Sequence, residues 1–406
     1  MIAIIEKSRA AGRVVAPPSK SMSHRALIAA GLAQGKSRIE GIVESEDMLA
    51  TLEAISALGS HFEKEDYVVS IEGKRQENPV ADEVNCRESG STLRFFIPIF
   101  LLGNQEVVLK AHGRLPQRPM GIYENICKEQ GLVLERLEDG IRLRGPLKAG
   151  EFFVEGNISS QFISGLLFAL PLLKEDSVIH LIPPVESRPY IDMTLQVLKE
   201  FGISIKSEGN DLLVQGNQTY QARDYVVEGD YSNAAFLDAY TVLGGSVTVE
   251  GLREDSLQGD KVYRTLFETL CNENQVIDLT DCPDLGPVLM AVAAAKNGAV
   301  FTGAERLKMK ESDRGAAMIS ELKKFGIKAY YQGEDIVVEK GILQTPKEIL
   351  DGYNDHRIVM ALSLLLSLTG GSITDAQAVN KSYPHYFNEI KKLGIKVTLD
   401  ENNKRD

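Results

Sequence analysis

Residues 194–216 read TLQVLKEFGISIKSEGNDLLVQG, and three signals follow one another in that stretch. Leu195, Val197, Leu198 and Phe201 fall three and four residues apart, as on one face of a helix. Lys199 and then Gly202 close the run, a cation for the helix C-terminus and a residue for a left-handed cap. ISIK and DLLV then place apolar residues around an EGN turn, the pattern of a hairpin.

The same order recurs along the chain. TLEAISALG ends at Gly59, NICKEQG at Gly131, ISELKKFG at Gly326 and EIKKLG at Gly394. Gly59 to Gly131 is 72 residues, Gly131 to Gly202 is 71, and Gly326 to Gly394 is 68. The longer gap from Gly202 to Gly326 hides one degenerate unit, its helix near 260–270 without a closing glycine. A second kind of helix precedes each of these: 25–33, 93–102, 162–173, 234–243, 285–295 and 356–368. These six are apolar nearly all round, as only a buried helix can be. Repetition at a fixed period marks a repeat architecture. The expectation is an α/β protein of two similar domains, each of three βαβαββ repeats with its apolar helices buried behind sheets.

Composition narrows the function. The chain of 406 residues carries a net charge of −12, which argues against a general nucleic-acid surface. Cys86, Cys127, Cys271 and Cys282 make no metal-type spacing, which fits a reducing cytoplasm. The apolar runs are too short to span a bilayer, and Glu6 interrupts the start too early for a signal peptide. AGLAQGKS (30–37) imitates a phosphate loop but has Ala30 in place of the first glycine and runs from helix to strand.

The chemistry gathers where the buried helices begin. SKSMSHR, ESGSTLR, GNISSQF, EGDYSN, CPD and YNDHR stand there. Serine, aspartate and asparagine are ordinary caps. Lys20, Arg25, Arg94 and Arg357 are not, because a cation at a helix N-terminus opposes the macrodipole. An anion bound there reverses the sign. Arg114 and Arg118 in GRLPQRP, and Lys308, Lys310, Glu311, Asp313 and Arg314 in LKMKESDR, add further charge, although the second is also an ordinary charged helix start.

Together PPSKSMSHRAL, ESGSTLR, LPQRP, NISSQF, VESRPYID, VEGDYSNAAF, LQGD, CPD, LKMKESDR, YNDHR and KSYPHYF resemble, in order and over nearly the whole chain, the enolpyruvyl transferases, and among them the 5-enolpyruvylshikimate-3-phosphate synthase family. The resemblance implies two domains of the inverse α/β barrel type with the active site in a cleft between them. It implies a domain of 19–222, mainly on the shikimate 3-phosphate side, and a second of 1–18 with 223–406. The implied reaction moves the enolpyruvyl group of phosphoenolpyruvate to the 5-hydroxyl of shikimate 3-phosphate and releases phosphate, in the shikimate pathway of aromatic amino-acid biosynthesis. No metal or cofactor is expected, nor a nucleic-acid or membrane partner, and the chain is expected to be monomeric and to close its domains around the substrates.

Carried over motif by motif, Lys20, Ser21, Arg25, Ser159, Ser160, Gln161, Ser187, Tyr190, Asp284 and Lys310 should meet shikimate 3-phosphate. Lys20, Gly90, Arg94, Arg118, Gln161, Arg314, His356, Arg357 and Lys381 should meet phosphoenolpyruvate. Asp284, Glu311 and Lys20 are the implied catalytic groups, for the hydroxyl proton, the methylene carbon and the leaving phosphate. Eight matched cations against Asp284 and Glu311 leave six positive charges for ligands bearing roughly five to six negative ones. Glu88 departs from the asparagine common in the family and lowers that excess by one. The alternatives are the sister UDP-N-acetylglucosamine 1-carboxyvinyltransferase, whose usual cysteine is missing from GRLPQRP, and, remotely, a six-repeat ring clamp on DNA, which would need basic rather than apolar inner helices.

Overall fold

The computed structural model describes residues 1–74 and 78–401, so 402–406 of the expected second domain lie outside the described residues. The chain divides into two compact units, 18–228 and 1–17 with 229–406. It opens with strands β1 (Ile2–Ile5) and β2 (Ala11–Val15), both belonging to the second unit.

In the unit 18–228 the expected grammar is regular. Apolar helices α1 (Lys20–Leu32), α3 (Gly90–Phe100) and α5 (Ser160–Ala169) alternate with amphipathic α2 (Glu46–Ala57), α4 (Gly121–Gln130) and α6 (Arg188–Glu200). The strands are β3 (Gly35–Glu40), β4 (His61–Glu65), β5 (Val68–Gly73), β6 (Glu83–Asn85), β7 (Val107–Lys110), β8 (Val133–Leu137), β9 (Gly140–Arg144), β10 (Glu151–Glu155), β11 (Ser177–Ile182), β12 (Ile205–Glu208), β13 (Asp211–Val214) and β14 (Asp224–Val226). They form three four-stranded sheets, β14-β3-β5-β4, β6-β7-β9-β8 and β10-β11-β13-β12. Each starts with a parallel pair (Glu151↔Val178) and ends in an antiparallel hairpin (Ile205↔Val214). Alternation in ISIK and DLLV is therefore the pleat of β12 and β13, with Leu212 and Val214 facing the core.

Local chemistry tightens the helix layer. Pro98 inside α3 has no N–H for the carbonyl of Arg94, four residues earlier. The Tyr123 hydroxyl from α4 donates its one proton between that carbonyl, at 2.8 Å, and Phe162 O, at 3.1 Å. Gly165 of α5 allows the approach, since a Cβ there would lie 2.6 Å from the Arg94 carbonyl oxygen. α3 is thus held against α5 just where Arg94 begins its reach.

The second unit repeats the plan with α7 (Tyr231–Val242), α9 (Gly286–Ala295) and α11 (His356–Thr369) inside, and α8 (Tyr263–Leu270), α10 (Arg314–Lys324) and α12 (Tyr386–Lys392) outside. Its strands are β15 (Ser246–Glu250), β16 (Val276–Asp278), β17 (Ala299–Thr302), β18 (Ala329–Gln332), β19 (Asp335–Val338), β20 (Gly371–Ile373) and β21 (Val397–Asp400). Among the described residues of this unit only β16-β17-β19-β18 is a full sheet; β20-β1-β21 has three strands and β15-β2 two. The degenerate fourth repeat has therefore lost its hairpin, and α8 ends at Cys271 without a glycine. Gly59, Gly131, Gly202, Gly326 and Gly394 all take positive φ, from +69° to +96°, as the capping argument requires.

The unit boundaries differ from the expected 18/19 and 222/223. β14 lies parallel to β3, Asp224 opposite Arg38, and Val227 N donates to Glu40 O, which ties 223–228 to the first unit. β2 pairs in the same way with β15 of the second unit, Val15 opposite Glu250. Each unit thus contains a strand from the stretch of chain that leads into the other. Among the described residues no helix is long and apolar enough to cross a membrane.

Candidate active site

In the unit 18–228 the three inner helices begin with neutral caps. Ser19, Ser89 and Ser159 accept hydrogen bonds from Met22 N, Thr92 N and Gln161 N. Serine satisfies a backbone donor but adds no negative charge, so the positive pole of each helix is left for another anion.

Four cations surround these starts. Lys20 Nζ lies 3.0 Å from Asp47 Oδ2 in the first turn of α2. Arg25 is 3% exposed and has only neutral partners: Nε donates to Thr194 Oγ1 at 2.8 Å, Nη1 to Ser21 O at 2.7 Å and Nη2 to Tyr190 O at 2.9 Å. Its guanidinium sits over the Phe95 ring, 5.2 Å from the centroid. Burial, which nearby Tyr190 and Tyr225 offset only in part, brings its pKa down to about 10. A cation without a counter-charge in a dry site binds a dianion strongly.

Arg94 is similarly buried. Nη1 donates to Gln161 Oε1 at 2.8 Å, Nη2 to Pro119 O at 3.0 Å, and the guanidinium covers the Phe162 ring. Gln161 Nε2 in turn reaches Ser91 Oγ at 3.1 Å. Gly90 brings Arg118 onto the start of α3, because a Cβ at 90 would lie 2.7 Å from Arg118 Nη1. Ser160 is buried beside the Ser159 cap. Ser187 is fully buried with φ of 54°, a strained conformation for a non-glycine residue at the start of α6. Structure thus groups Lys20, Ser21, Arg25, Ser187 and Tyr190 around α1 and α6, and Gly90, Arg94, Arg118, Ser159, Ser160 and Gln161 around α3 and α5.

In the second unit two of the three inner helices, α7 and α11, carry carboxylate caps instead. Asp230 accepts from Asn233 N at 2.8 Å and Asp355 from Arg357 N at 2.9 Å. Arg314, 1% exposed, is shared among three carboxylates. Nε donates to Asp355 Oδ2 at 2.9 Å, Nη1 to Asp284 Oδ1 at 2.9 Å and Nη2 to Glu311 Oε2 at 2.6 Å. Lys310 Nζ lies 3.0 Å from Asp284 Oδ1, and Arg357 Nη2 3.3 Å from Asp284 Oδ2. His356 is buried with Nδ1 3.8 Å from Asp355 Oδ1. Lys381 Nζ donates to Asn354 O at 2.7 Å, where Tyr353 and Asn354 both take positive φ.

Proton affinities follow from this pairing. Burial pushes the Asp284 carboxyl up, but Arg357, Lys310 and Arg314 outweigh it and hold the group well below the usual carboxylate range. Lys310 goes down, because burial and the nearby charge of Arg306 outrun Asp284, which it shares with two arginines. Burial, with Asp284 close by, raises Asp260 to about 6. Asp260 also accepts the hydroxyl of Ser232.

Sequence reasoning missed Asp47, Asp260, Asp355 and Thr194. A carboxylate in a helix's first turn or at its cap reads as ordinary, so Asp47 and Asp355 carried no signal of the cations they hold. With these two, the five spare positive charges left after Glu88 fall to three. Among the described residues no group of His, Cys, Asp and Glu is arranged to hold a metal ion.

The model of EPSP synthase (3-phosphoshikimate 1-carboxyvinyltransferase) matches residues 4–390. The chain belongs to that family. Curated relatives named 3-phosphoshikimate 1-carboxyvinyltransferase include one from Clostridium novyi, 38% identical over 414 residues, covering 94% of this chain and 95% of that one. Another, from Clostridium perfringens, is 40% identical and covers 96% and 98%. Among solved structures, an EPSP synthase of Acinetobacter baumannii superposes with a TM-score of 0.78 at 24% identity, covering 98% of this chain and 99% of that one. The enolpyruvyl transferase NikO of Streptomyces tendae does so with 0.77 at 14% identity, covering 98% of each chain. At these identities the two structures support the fold, which is that of the EPSP synthase family.

Proposed function

We propose that the chain is a 3-phosphoshikimate 1-carboxyvinyltransferase, moving the enolpyruvyl group of phosphoenolpyruvate to the 5-hydroxyl of shikimate 3-phosphate. Family membership supports the reaction, and Arg25 is the observation that carries the anion assignment. It is a buried guanidinium with three neutral partners, beside a helix start with a neutral cap.

In this reading Lys20, Ser21, Arg25, Ser159, Ser160, Gln161, Ser187 and Tyr190 hold the shikimate 3-phosphate. Gly90, Arg94, Arg118 and Gln161 receive phosphoenolpyruvate with Lys20, and Arg357, Lys381, Arg314 and His356 serve the same substrate. The hydroxyl oxygen adds to the central carbon of phosphoenolpyruvate while its proton passes through Glu311 to the methylene carbon; the methyl group so formed then returns a proton to Glu311 as the C–O bond to phosphate breaks. Asp284, held ionised by three cations, is a weak base, so it orients the hydroxyl with Lys310 rather than stripping it. Glu311, fixed by Arg314, carries the proton at the methylene carbon, and Lys20 donates to the leaving phosphate.

The test is phosphate release from phosphoenolpyruvate with shikimate 3-phosphate or UDP-N-acetylglucosamine supplied separately. Release only with shikimate 3-phosphate supports the reading. Release only with the nucleotide sugar overturns the acceptor, and release with neither overturns the activity.

A further inference from the structure

One buried polar chain inside the unit 18–228 is not absorbed by these roles. His24 of α1 is 1% exposed, and its Nδ1 lies 2.7 Å from Thr51 Oγ1 of α2. Thr51 Oγ1 lies 2.8 Å from Thr92 Oγ1 of α3, and Thr92 Oγ1 lies 2.8 Å from Ser89 Oγ, the cap of α3. Thr51, Thr92 and Ser89 are all fully buried. Three helices with apolar flanks would pack without these hydroxyls, and each buried polar group costs stability unless it is bonded.

Counting protons gives the chain a direction. The Thr92 hydroxyl donates to Ser89 Oγ, which also accepts Thr92 N at 3.2 Å. The single Thr51 proton serves Thr92 Oγ1 at 2.8 Å, the shorter contact, rather than Asp47 O at 3.2 Å. His24 Nδ1 must then be the protonated nitrogen, donating to Thr51, and the buried Nε2 has no hydrogen-bond partner among the described residues. A second proton on the ring is opposed by burial and by Lys20 and Arg25, which place its pKa well below the ordinary histidine value. The chain therefore has one polarity, from α1 through α2 to the cap of α3.

Its two ends are the two proposed substrate positions. His24 stands between Lys20 and Arg25 in sequence, and Ser89 immediately precedes Gly90. We propose that Thr51 is a positioning residue, which through His24 and Thr92 keeps the first turn of α3, Gly90 to Arg94, aligned with the first turn of α1. The dependence is unequal. Lys20 has Asp47, and Arg25 has Thr194 and two carbonyls, so the α1 end is fixed independently. The α3 cap relies on Thr92, and Thr92 on Thr51.

This inference rests on the proposed reaction for its kinetic test, so a second readout is independent of activity. Thr51→Val keeps the shape and removes the hydroxyl; Thr51→Ser keeps the hydroxyl. In the full chain, Thr51→Val is expected to raise KM for phosphoenolpyruvate roughly tenfold and KM for shikimate 3-phosphate less than about threefold, with Thr51→Ser near the original values. In parallel, nitrogen NMR is expected to show the Gly90 amide and the His24 ring signals displaced by Thr51→Val and restored by Thr51→Ser. Thr92→Val breaks the next link, must give the same split, and carries the test should Thr51→Val not fold. Unchanged KM values with an unmoved Gly90 amide overturn the proposal. So does an equal loss for both substrates, or a loss that serine does not restore, since either reports packing alone. A wild-type chain with no turnover counts against the reaction, and the Gly90 amide then decides the inference by itself.

Discussion

Asp355→Asn removes one charge and almost no volume from the most enclosed ion cluster of the second unit. Asp355 is 0% exposed and Arg314 1%. Asp355 Oδ2 accepts Arg314 Nε and the Ser312 hydroxyl, each at 2.9 Å, and Oδ1 accepts Arg357 N at 2.9 Å and Arg314 Nη2 at 3.3 Å. Every contact donates to the carboxylate, so the amide NH2 of asparagine must face a donor in either orientation. Breaking a buried pair by removing one partner costs about 3–5 kcal/mol. Arg314 keeps Asp284 and Glu311, so the lower end, about 3 kcal/mol, applies here. For a unit near 200 residues that corresponds to a fall in Tm of roughly 6–12 °C. Activity falls further than stability implies, because a shifted Arg314 re-aims both Asp284 and Glu311; a loss in kcat on the order of 100-fold is expected, with less change in KM. The pH dependence has a fixed sign. Burial raises the Asp355 carboxyl but Arg314 outweighs it, so the folded pKa lies below the ordinary value. Its contribution is present above the unfolded pKa of about 3.9 and is lost as pH falls through the folded pKa. Calorimetry from pH 3 to pH 7 should therefore show the deficit of Asp355→Asn shrinking in acid. A variant that melts within 2 °C of the parent at pH 7 and turns over within about threefold would refute the account of Arg314 as held by Asp355.

Glu311→Gln keeps the Arg314 hydrogen bond but cannot carry a proton, so steady-state kinetics should show kcat reduced about 100-fold or more with KM values little changed. Gly90→Ala places a methyl 2.7 Å from Arg118 Nη1, and a rise in KM for phosphoenolpyruvate of about tenfold should exceed any change for shikimate 3-phosphate. Asp260 is raised to about 6 by burial and Asp284, so the folded chain holds its proton longer than the unfolded one and loses stability as pH rises from about 4 to 6. Asp260→Asn should accordingly raise Tm more at pH 8 than at pH 4, by an amount corresponding to about 2–3 kcal/mol at most.

The helices and hairpins were legible because their physics is local. An all-round apolar helix such as 356–368 has one destination, and a glycine after Lys324 or Lys199 can end a helix in the left-handed region. Arg25 was legible because its charge opposes the dipole of its own helix. What the sequence concealed was pairing at long range. Asp47 and Asp355 look like ordinary first-turn and cap residues, and their partners Lys20 and Arg314 are 27 and 41 residues away. The charge of Arg314 is plain in the sequence, but the division of its fork among three carboxylates is not. DYV at 224–226 is too short for any period to show that it joins β3 rather than the elements that follow it.

The placing of β2 and β14 bears on synthesis and on protein engineering. The unit 18–228 is one continuous segment, whereas the other is divided by it, with β1 seated between β20 and β21. β1 therefore waits for β20 and β21, far later in the chain, before its sheet can close. Ile2 lies opposite Asp400 in the antiparallel β1–β21 pair, so a hairpin-length linker could join these two positions. A circular permutant opened between Glu228 and Gly229 would then make each unit continuous, with a single passage between them. Comparing its refolding rate with that of the natural order would measure how much the interleaved order slows folding.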